Sequence, residues 1–299
     1  MDRLQAMLTF VRVVESGSFS AAARLMHMGQ PAVSKAVAQL ERQLSVQLLL
    51  RSAHGLTLTD AGQRYFERVA RIVSDTEEAD AAVRDSTVSL QGRLRVAVPT
   101  TFGRLQIVPR LGMFLKAHPR LDVDLELDDR RVDLVAEGID VAIRVGPLND
   151  SAMIARCLGR GRRSVIATPS YLAEAPALET PEDLGLQQAV AYTRDSGLKY
   201  TFRRQEEEMS VALHARLHVS AAEGIRAAVM ADLGLAIAAD WMFQPELQNG
   251  TAVRCLTSWT LPPVDLWVVF PSGRLVSAKA RAFSDFMTKL VEQIDTESE

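Results

Sequence analysis

Two cysteines, five histidines and 6% aromatic residues are little material for 299 residues, and each shortage removes a class of protein. Cys157 and Cys255 are too few and too far apart in sequence for a disulfide framework or a four-ligand zinc site, which fits a reducing compartment. Among the histidines only His214 and His218 are close, and in an alternating, strand-like run they share a face without forming a helical metal pair. No metal and no cofactor is expected. There is no glycine-rich phosphate loop, no Gly-x-Ser-x-Gly elbow and no His-Glu-x-x-His motif, so an enzyme reading has nothing to stand on. No apolar run approaches the roughly 18 residues that cross a bilayer. Met1-Asp2-Arg3-Leu4 also puts an acid and a base where a signal peptide would begin. A cytoplasmic protein with no membrane partner is expected.

The net charge of −3 argues against a nucleic-acid partner until its distribution is read. Residues 1–71 hold nine Lys/Arg against five Asp/Glu, a balance of +4. Residues 72–91 reverse it, with Arg84 against five acids. Positive potential confined to the first segment is what a DNA-contacting module in an otherwise acidic protein requires.

Leu4, Met7, Leu8, Val11 and Val14 share one helical face, and Gly17 stops that helix. Ser18 and Ser20 are alternative N-caps for a short alanine-rich helix from 21 to about 28. After Gly29 the chain restarts with Pro31 in a first helical turn. This third helix runs to about 44 and turns Val33, Val37, Leu40 and Leu44 inward. Gln30, Ser34, Lys35, Ala38, Gln39 and Arg42 are left wholly or partly outward. A helix restarted after a tight turn can enter a major groove: Gln30 suits adenine, Lys35 guanine, and the open amides beside Pro31 a phosphate oxygen. Residues 48–50 and 56–58 flank a small hairpin, a wing on which Arg51 and His54 would follow the DNA backbone or minor groove. The plainer alternatives are solvated charges at Lys35 and Arg42, a cap at Gln30 and an Arg51–Glu41 pair. A long helix from 60 to about 89 places Phe66, Val69, Val73, Thr76, Asp80 and Val83 on a seam suited to another long helix.

From Gly92 strands and helices alternate, implying a parallel sheet with crossover helices. Strands are expected around 94–98, 123–127, 141–145, 154–158, 164–167, 188–192, 211–219, 235–239, 253–256 and 264–270. The last would return the chain to the first lobe before a final helix from 277 to about 294. Capping-box patterns stand at Thr180-Pro181-Glu182-Asp183 and Ser220-Ala221-Ala222-Glu223. Ligands in open α/β folds bind beyond the carboxyl ends of strands. That rule selects Thr100 and Thr101 after the first strand, Arg144 to Gly146 after the third, and Ser220 at a helix start. The Thr100 and Thr101 hydroxyls beside helix amides would cradle a carboxylate, unless they only cap the helix.

Ser18-Phe19-Ser20-Ala21-Ala22-Ala23-Arg24-Leu25 and Gln30-Pro31-Ala32-Val33-Ser34-Lys35-Ala36-Val37-Ala38-Gln39-Leu40-Glu41 resemble the helix-turn-helix of the LysR family. The likeness continues through Leu44, Arg51, Leu56-Thr57-Leu58-Thr59 and Gly62, with Ser45 where the family favours glycine and Leu49-Leu50 where phenylalanine is common. Residues from about 92 to 294 resemble the family's effector domain, two α/β lobes similar to type 2 periplasmic binding proteins. The markers are Pro99, the run from Glu137 to Gly146, Thr168-Pro169-Ser170-Tyr171-Leu172, Pro181-Glu182-Asp183-Leu184, Gly234-Leu235-Ala236-Ile237-Ala238 and Leu266-Trp267-Val268-Val269-Phe270-Pro271, with Asp232 a departure.

The resemblance implies a winged helix-turn-helix over 1–59, a linker and dimerisation helix over 60–91 and an effector-binding domain over 92–299. Lobe I would take about 92–162 and 268–299, and lobe II about 163–267. It implies double-stranded promoter DNA as partner, bound through Ser18, Ser20, Gln30, Pro31, Ser34, Lys35, Ala38, Arg51 and His54. It further implies a small-molecule effector, an organic acid among the candidates, at Thr100, Thr101, Arg144, Gly146 and Ser220, with Phe202 stacking on a ring or else serving as core. A homodimer or homotetramer and a contact with RNA polymerase complete the expectation. Ligand binding would alter the angle between lobes. Two other readings compete: a redox sensor joining Cys157 to Cys255, and a non-specific architectural DNA-binding protein.

Overall fold

A computed structural model describes residues 2–52, 55–83, 90–148, 153–193, 198–272 and 276–298. They form two compact units, Met1–Ser89 and Leu90–Glu299.

In the first unit α1 (Arg3–Ser16) starts on the Asp2 side chain and ends at Gly17, whose φ of 69° is left-handed. The helix α2 (Phe19–Leu25) is capped by Ser18, whose Oγ accepts the Ala21 amide at 3.0 Å. Ser20 therefore lies inside the helix, which stops short of 28 because His27 turns left-handed at φ 51°. The helix α3 (Gln30–Leu44) ends at Ser45 with φ 53°, a conformation that explains why glycine is favoured there. Strands β1 (Leu49–Ser52) and β2 (Gly55–Leu58) pair antiparallel, Leu49 opposite Leu58 and Ser52 opposite Gly55. The helix α4 (Asp60–Val83) follows; its expected continuation through 84–89 lies outside the described residues, as do the side chains at 77–83, Asp80 and Val83 included.

Ala6, Phe10, Val13, Ala22, Val33, Val37 and Leu40 form the core of this unit, together with Val69 and Val73. Phe10 meets Tyr65 and Phe66 of α4 at ring separations of 5.7 and 6.4 Å. Half of the expected seam is thus spent on α1: Val69 and Val73 are interior residues of this unit, and Phe66 packs against its core. Two knots hold the wing. The Glu41 Oε1 accepts the amides of Leu48 and Leu49 at 2.8 and 3.1 Å. The Thr59 Oγ1 donates to the Gln47 carbonyl at 2.8 Å and accepts the Gly62 amide at 2.9 Å, capping α4.

The second unit begins with β3 (Gln91–Val98), then α5 (Thr100–Phe102), a π-helical turn (Gly103–Ile107) and α6 (Val108–Ala117), which run on as one helix. Next come β4 (Arg120–Leu127), α7 (Leu134–Glu137) capped by Asp133, β5 (Val141–Val145) and β6 (Ile154–Gly161). The second lobe holds β7 (Arg163–Ala167), α8 (Pro169–Glu174), a 3-10 turn (Pro181–Leu186), β8 (Ala189–Tyr192), β9 (Lys199–Arg204), β10 (Glu207–Ala212), β11 (Ala215–Val219), α9 (Ala222–Met230), β12 (Ala236–Ala239), α10 (Gln244–Asn249) and β13 (Val253–Cys255). Finally β14 (Val264–Phe270) and α11 (Ala278–Ser298) return to the first lobe.

The first-lobe sheet has the order β4-β3-β5-β14-β6. Its first three strands are parallel, as the alternation implies, but β14 runs antiparallel to both neighbours, so the sheet is mixed. The second lobe has β12-β7-β13 antiparallel, β11 parallel to β8, and a β9–β10 hairpin. The single strand expected over 211–219 is two strands, because Leu213 turns into the core and its amide donates to the Leu198 carbonyl at 2.8 Å. One continuous apolar core joins Leu94, Val96 and Val268 of the first-lobe sheet to Phe283 and Met287 of α11 and to Ile225, Val229 and Ala236 of the second lobe. Val165, Leu184, Phe202, Leu213 and Trp259 form a smaller core within the second lobe.

Candidate functional sites

The buried stripe of α3, Val33, Ala36, Val37 and Leu40, fixes what its other face presents. Gln30, Pro31, Lys35 and Ala38 are exposed on it and Ser34 is half-buried, with Ser18 and Ser20 exposed at the start of α2. The cap of α3 is Gly29, so Gln30 is not the cap. Lys35 has no ion-pair partner among the described residues, whereas the Arg42 Nε is tied back to the Ala38 carbonyl at 3.3 Å. One expectation is corrected: the amides of Ala32 and Val33 both donate to the Gly29 carbonyl, at 2.9 and 3.2 Å. With Pro31 lacking an N–H, the helix start offers fewer open donors to a phosphate than its sequence suggests. The Arg51 side chain and His54 lie outside the described residues. Sequence reasoning missed a groove of about 270 Å³ between α3 and β1, lined by Phe19, Ser34, Ala38, Leu49 and Leu50 among others. Its only trace in the sequence is Leu50, an apolar residue left exposed on a wing strand.

In the second unit the parallel strands β3, β4 and β5 bring their carboxyl ends together. Pro99 follows β3, residues 128–132 follow β4, Arg144 and Val145 close β5, and Tyr192 ends β8 of the second lobe. Together they line a cleft of about 330 Å³. Arg130 chelates Asp128, its Nε at 2.9 Å and a terminal nitrogen at 2.7 Å. Asp129 Oδ1 accepts the Thr100 amide at 2.9 Å. Arg131 donates to the Pro147 carbonyl at 3.3 Å and Arg144 to the Val132 carbonyl at 3.1 Å. Three guanidinium groups against two carboxylates leave the wall with an excess positive charge.

Of the residues chosen from sequence, Arg144 lines this cleft. Thr100 stands beside it with its amide already used. Thr101 is fully buried and donates its hydroxyl to Glu223 Oε2 at 3.3 Å, so the expected carboxylate cradle is occupied from within the protein. Gly146 sits between two lining residues with φ 90°, but its amide donates to the Asp265 carbonyl and its own carbonyl accepts the Trp267 indole N–H. Phe202 is a correction: the β9–β10 hairpin turns it into the second-lobe core, 1% exposed, away from the cleft wall. Ser220 is another: it is exposed, α9 is capped by Ala221 without a side-chain bond, and the capping box does not form because Glu223 is drawn elsewhere. The expected box at Thr180 does form with Asp183. Missed from sequence were Asp128, Asp129, Arg130, Arg131 and Tyr192. The signal was present, since four consecutive charges directly follow an alternating strand, at the carboxyl end that the ligand rule points to.

Glu223 joins elements of both lobes. Both its carboxylate oxygens accept an Arg104 guanidinium nitrogen, at 2.7 and 2.9 Å, and one also accepts Arg226 at 3.2 Å. Burial alone would raise its carboxyl, but hydrogen bonds and charge from Arg104, with Arg226 and the Thr101 hydroxyl, outweigh that and hold it below the usual range. Arg226 in turn bonds Glu246 of α10. The Asp232 departure also has a role: at φ 59° it accepts the hydroxyl of Thr168, which caps α8.

Cys157 is exposed on β6 and Cys255 half-buried on β13, in different sheets, and both are free. Burial pushes the Cys255 thiol up to about 11, which keeps it protonated and unreactive near neutral pH. His214 and His218 are both exposed. Among the described residues no helix is long and apolar enough to cross a membrane.

Known proteins share this arrangement. The family described as "Bacterial regulatory helix-turn-helix protein, lysR family" matches residues 4–63, and "LysR substrate binding domain" matches residues 88–292. A protein named HTH-type transcriptional regulator from Xanthomonas campestris is 35% identical over 94% of this chain and 83% of its own. The HTH-type transcriptional regulator PtxR of Pseudomonas aeruginosa is 32% identical over 94% of this chain and 90% of its own. The solved structure of CrgA, a LysR-type transcriptional regulator from Neisseria meningitidis, superposes with a TM-score of 0.59 at 29% identity, covering 95% of this chain and 97% of that one. A helix-turn-helix unit followed by a two-lobed domain with a charged cleft, matched in sequence along nearly its whole length, makes this chain a member of the LysR family of transcriptional regulators, a DNA-binding regulator with an effector-binding domain and not an enzyme.

Proposed function

We propose that α3 reads promoter DNA through Gln30, Ser34 and Lys35, with Pro31, Ala38, Ser18 and Ser20 along the same surface and the wing residues Arg51 and His54 on the backbone or in the minor groove. The observation that carries this reading is the exposed polar face of α3 set opposite its buried stripe. Lys35→Ala and Gln30→Ala are each expected to weaken binding to an operator selected from random DNA by about 1–3 kcal/mol at fixed salt. Gel-shift titrations that leave both variants at wild-type affinity would remove these residues from the interface.

The cleft takes one small organic acid as effector, its acid group held by Arg131 and Arg144 beside the Tyr192 ring. The excess positive charge of the wall supports this. A thermal-shift screen of small carboxylates is expected to find ligands that raise the melting temperature of the full chain by mass action, and Arg144→Ala is expected to abolish the rise. A ligand that stabilises wild type and Arg144→Ala equally binds elsewhere. In this reading residues 1–59 engage DNA, 60–91 pair two copies of the chain, and 92–299 sense the effector. Ile72, apolar and exposed on α4, supports pairing, and the working form is a dimer or tetramer that meets RNA polymerase at the promoter from the cytoplasm.

A further inference from the structure

We infer that Asp129 is a specificity-determining residue of the cleft: a resident carboxylate that takes the backbone seat a second ligand carboxylate would need, and so restricts the cleft to ligands with a single acid group. The inference rests on the reading of the cleft as the effector site.

Two features of the wall could hold an anion. One is the pair Arg131 and Arg144, whose guanidinium groups line the cavity. The other is the start of the helix that runs from Thr100 through the π turn to Ala117, where an amide and the positive end of the helix favour negative charge. Asp129 settles the second. Its Oδ1 lies 2.9 Å from the Thr100 nitrogen, while Asp129 itself lines the cavity. The Thr101 hydroxyl, which could have helped an incoming acid group, is buried and turned to Glu223. Asp128 adds a second negative charge to the same wall, partly neutralised by Arg130. A ligand carboxylate approaching the helix start therefore meets an amide already taken and the Asp129 carboxylate that takes it, whereas one approaching Arg131 and Arg144 meets guanidinium groups. A monocarboxylate satisfies the cleft; a short dicarboxylate has nowhere to put its second group.

Isothermal titration of the full chain with acetate, succinate and glutarate separates the cases. Wild type is expected to bind succinate and glutarate no more tightly than acetate. Asp129→Ala, which opens the amide and removes a charge, is expected to gain about tenfold for a dicarboxylate relative to acetate. Asp129→Glu, which keeps the charge, is expected to retain the wild-type preference. Should Asp129→Ala fail to fold, Asp129→Asn removes the charge with little change in shape and is expected to move the preference the same way by a smaller factor. An unchanged ratio in a variant that still binds acetate overturns this inference alone. Binding of none of the three probes to any of these proteins overturns the reading of the cleft and this inference with it.

Discussion

Gly62→Ala is expected to destabilise the N-terminal unit by about 3 kcal/mol or more and to abolish DNA binding with it. A β-carbon at position 62 would stand 2.0 Å from the Leu48 carbonyl oxygen and 2.9 Å from its carbon, a clash with backbone that no rotamer relieves. Leu48 cannot retreat cheaply. Its carbonyl accepts the Thr59 amide at 3.0 Å and its amide is held by Glu41 at 2.8 Å, so withdrawing it breaks both the cap of α4 and the brace between α3 and the wing. Since all three tryptophans, Trp241, Trp259 and Trp267, lie in the second unit, full-length protein reports the two units separately. Helicity by circular dichroism should melt earlier while tryptophan fluorescence follows the wild-type transition. A variant with wild-type melting and wild-type operator affinity would show that the wing can shift to admit a methyl group.

Arg226→Ala is expected to cost about 3 kcal/mol in the second unit. The side chains of Arg226 and Glu246 are 17% and 12% exposed, so removing the guanidinium leaves a carboxylate with little water to solvate it. It also takes one of the two arginines from Glu223. Replacing Arg226 by methionine together with Glu246 by leucine removes both charges and should return most of the loss, because a mostly buried pair gains little over apolar groups of similar volume. Urea titration followed by tryptophan fluorescence measures both. A single variant within about 0.5 kcal/mol of wild type, the scatter of ordinary surface substitutions, would mean that Glu246 finds other partners. Because the Glu223 carboxyl is held below its ordinary value in the folded state, its own stabilising share is present at neutral pH and is lost as pH falls through that lowered value.

What could be read in the sequence was local. Gly17, Pro31 and the apolar run from Val264 to Phe270 act within a few residues of themselves, and the elements they mark fall where expected, while Ser18 caps a helix that ends earlier than its sequence suggests. Failures began where a residue answers to a distant partner. Glu223 has the spacing of a capping residue, yet Arg104, more than a hundred positions away in sequence, outcompetes the nearby amide. Phe202 lies on a strand whose two faces are indistinguishable in a short alternating run, and only the packing of the hairpin decides which is inside. Val69 and Val73 have the spacing of a seam with another helix, which does not say which helix. For the cleft, the rule about strand ends was applied to two of the three parallel strands. Asp129 and Arg131, which also line the cavity, follow the one it passed over.

The apolar core that passes unbroken from α11 through the first-lobe sheet to α9 and β12 has a mechanical consequence. Swinging the two lobes widely apart would bare apolar groups such as Ile225, Val229 and Ala236 to water, a cost that resists such opening. A ligand in the cleft is therefore expected to be felt chiefly as shear, with packed side chains sliding by fractions of an ångström, rather than as a wide swing of one lobe against the other.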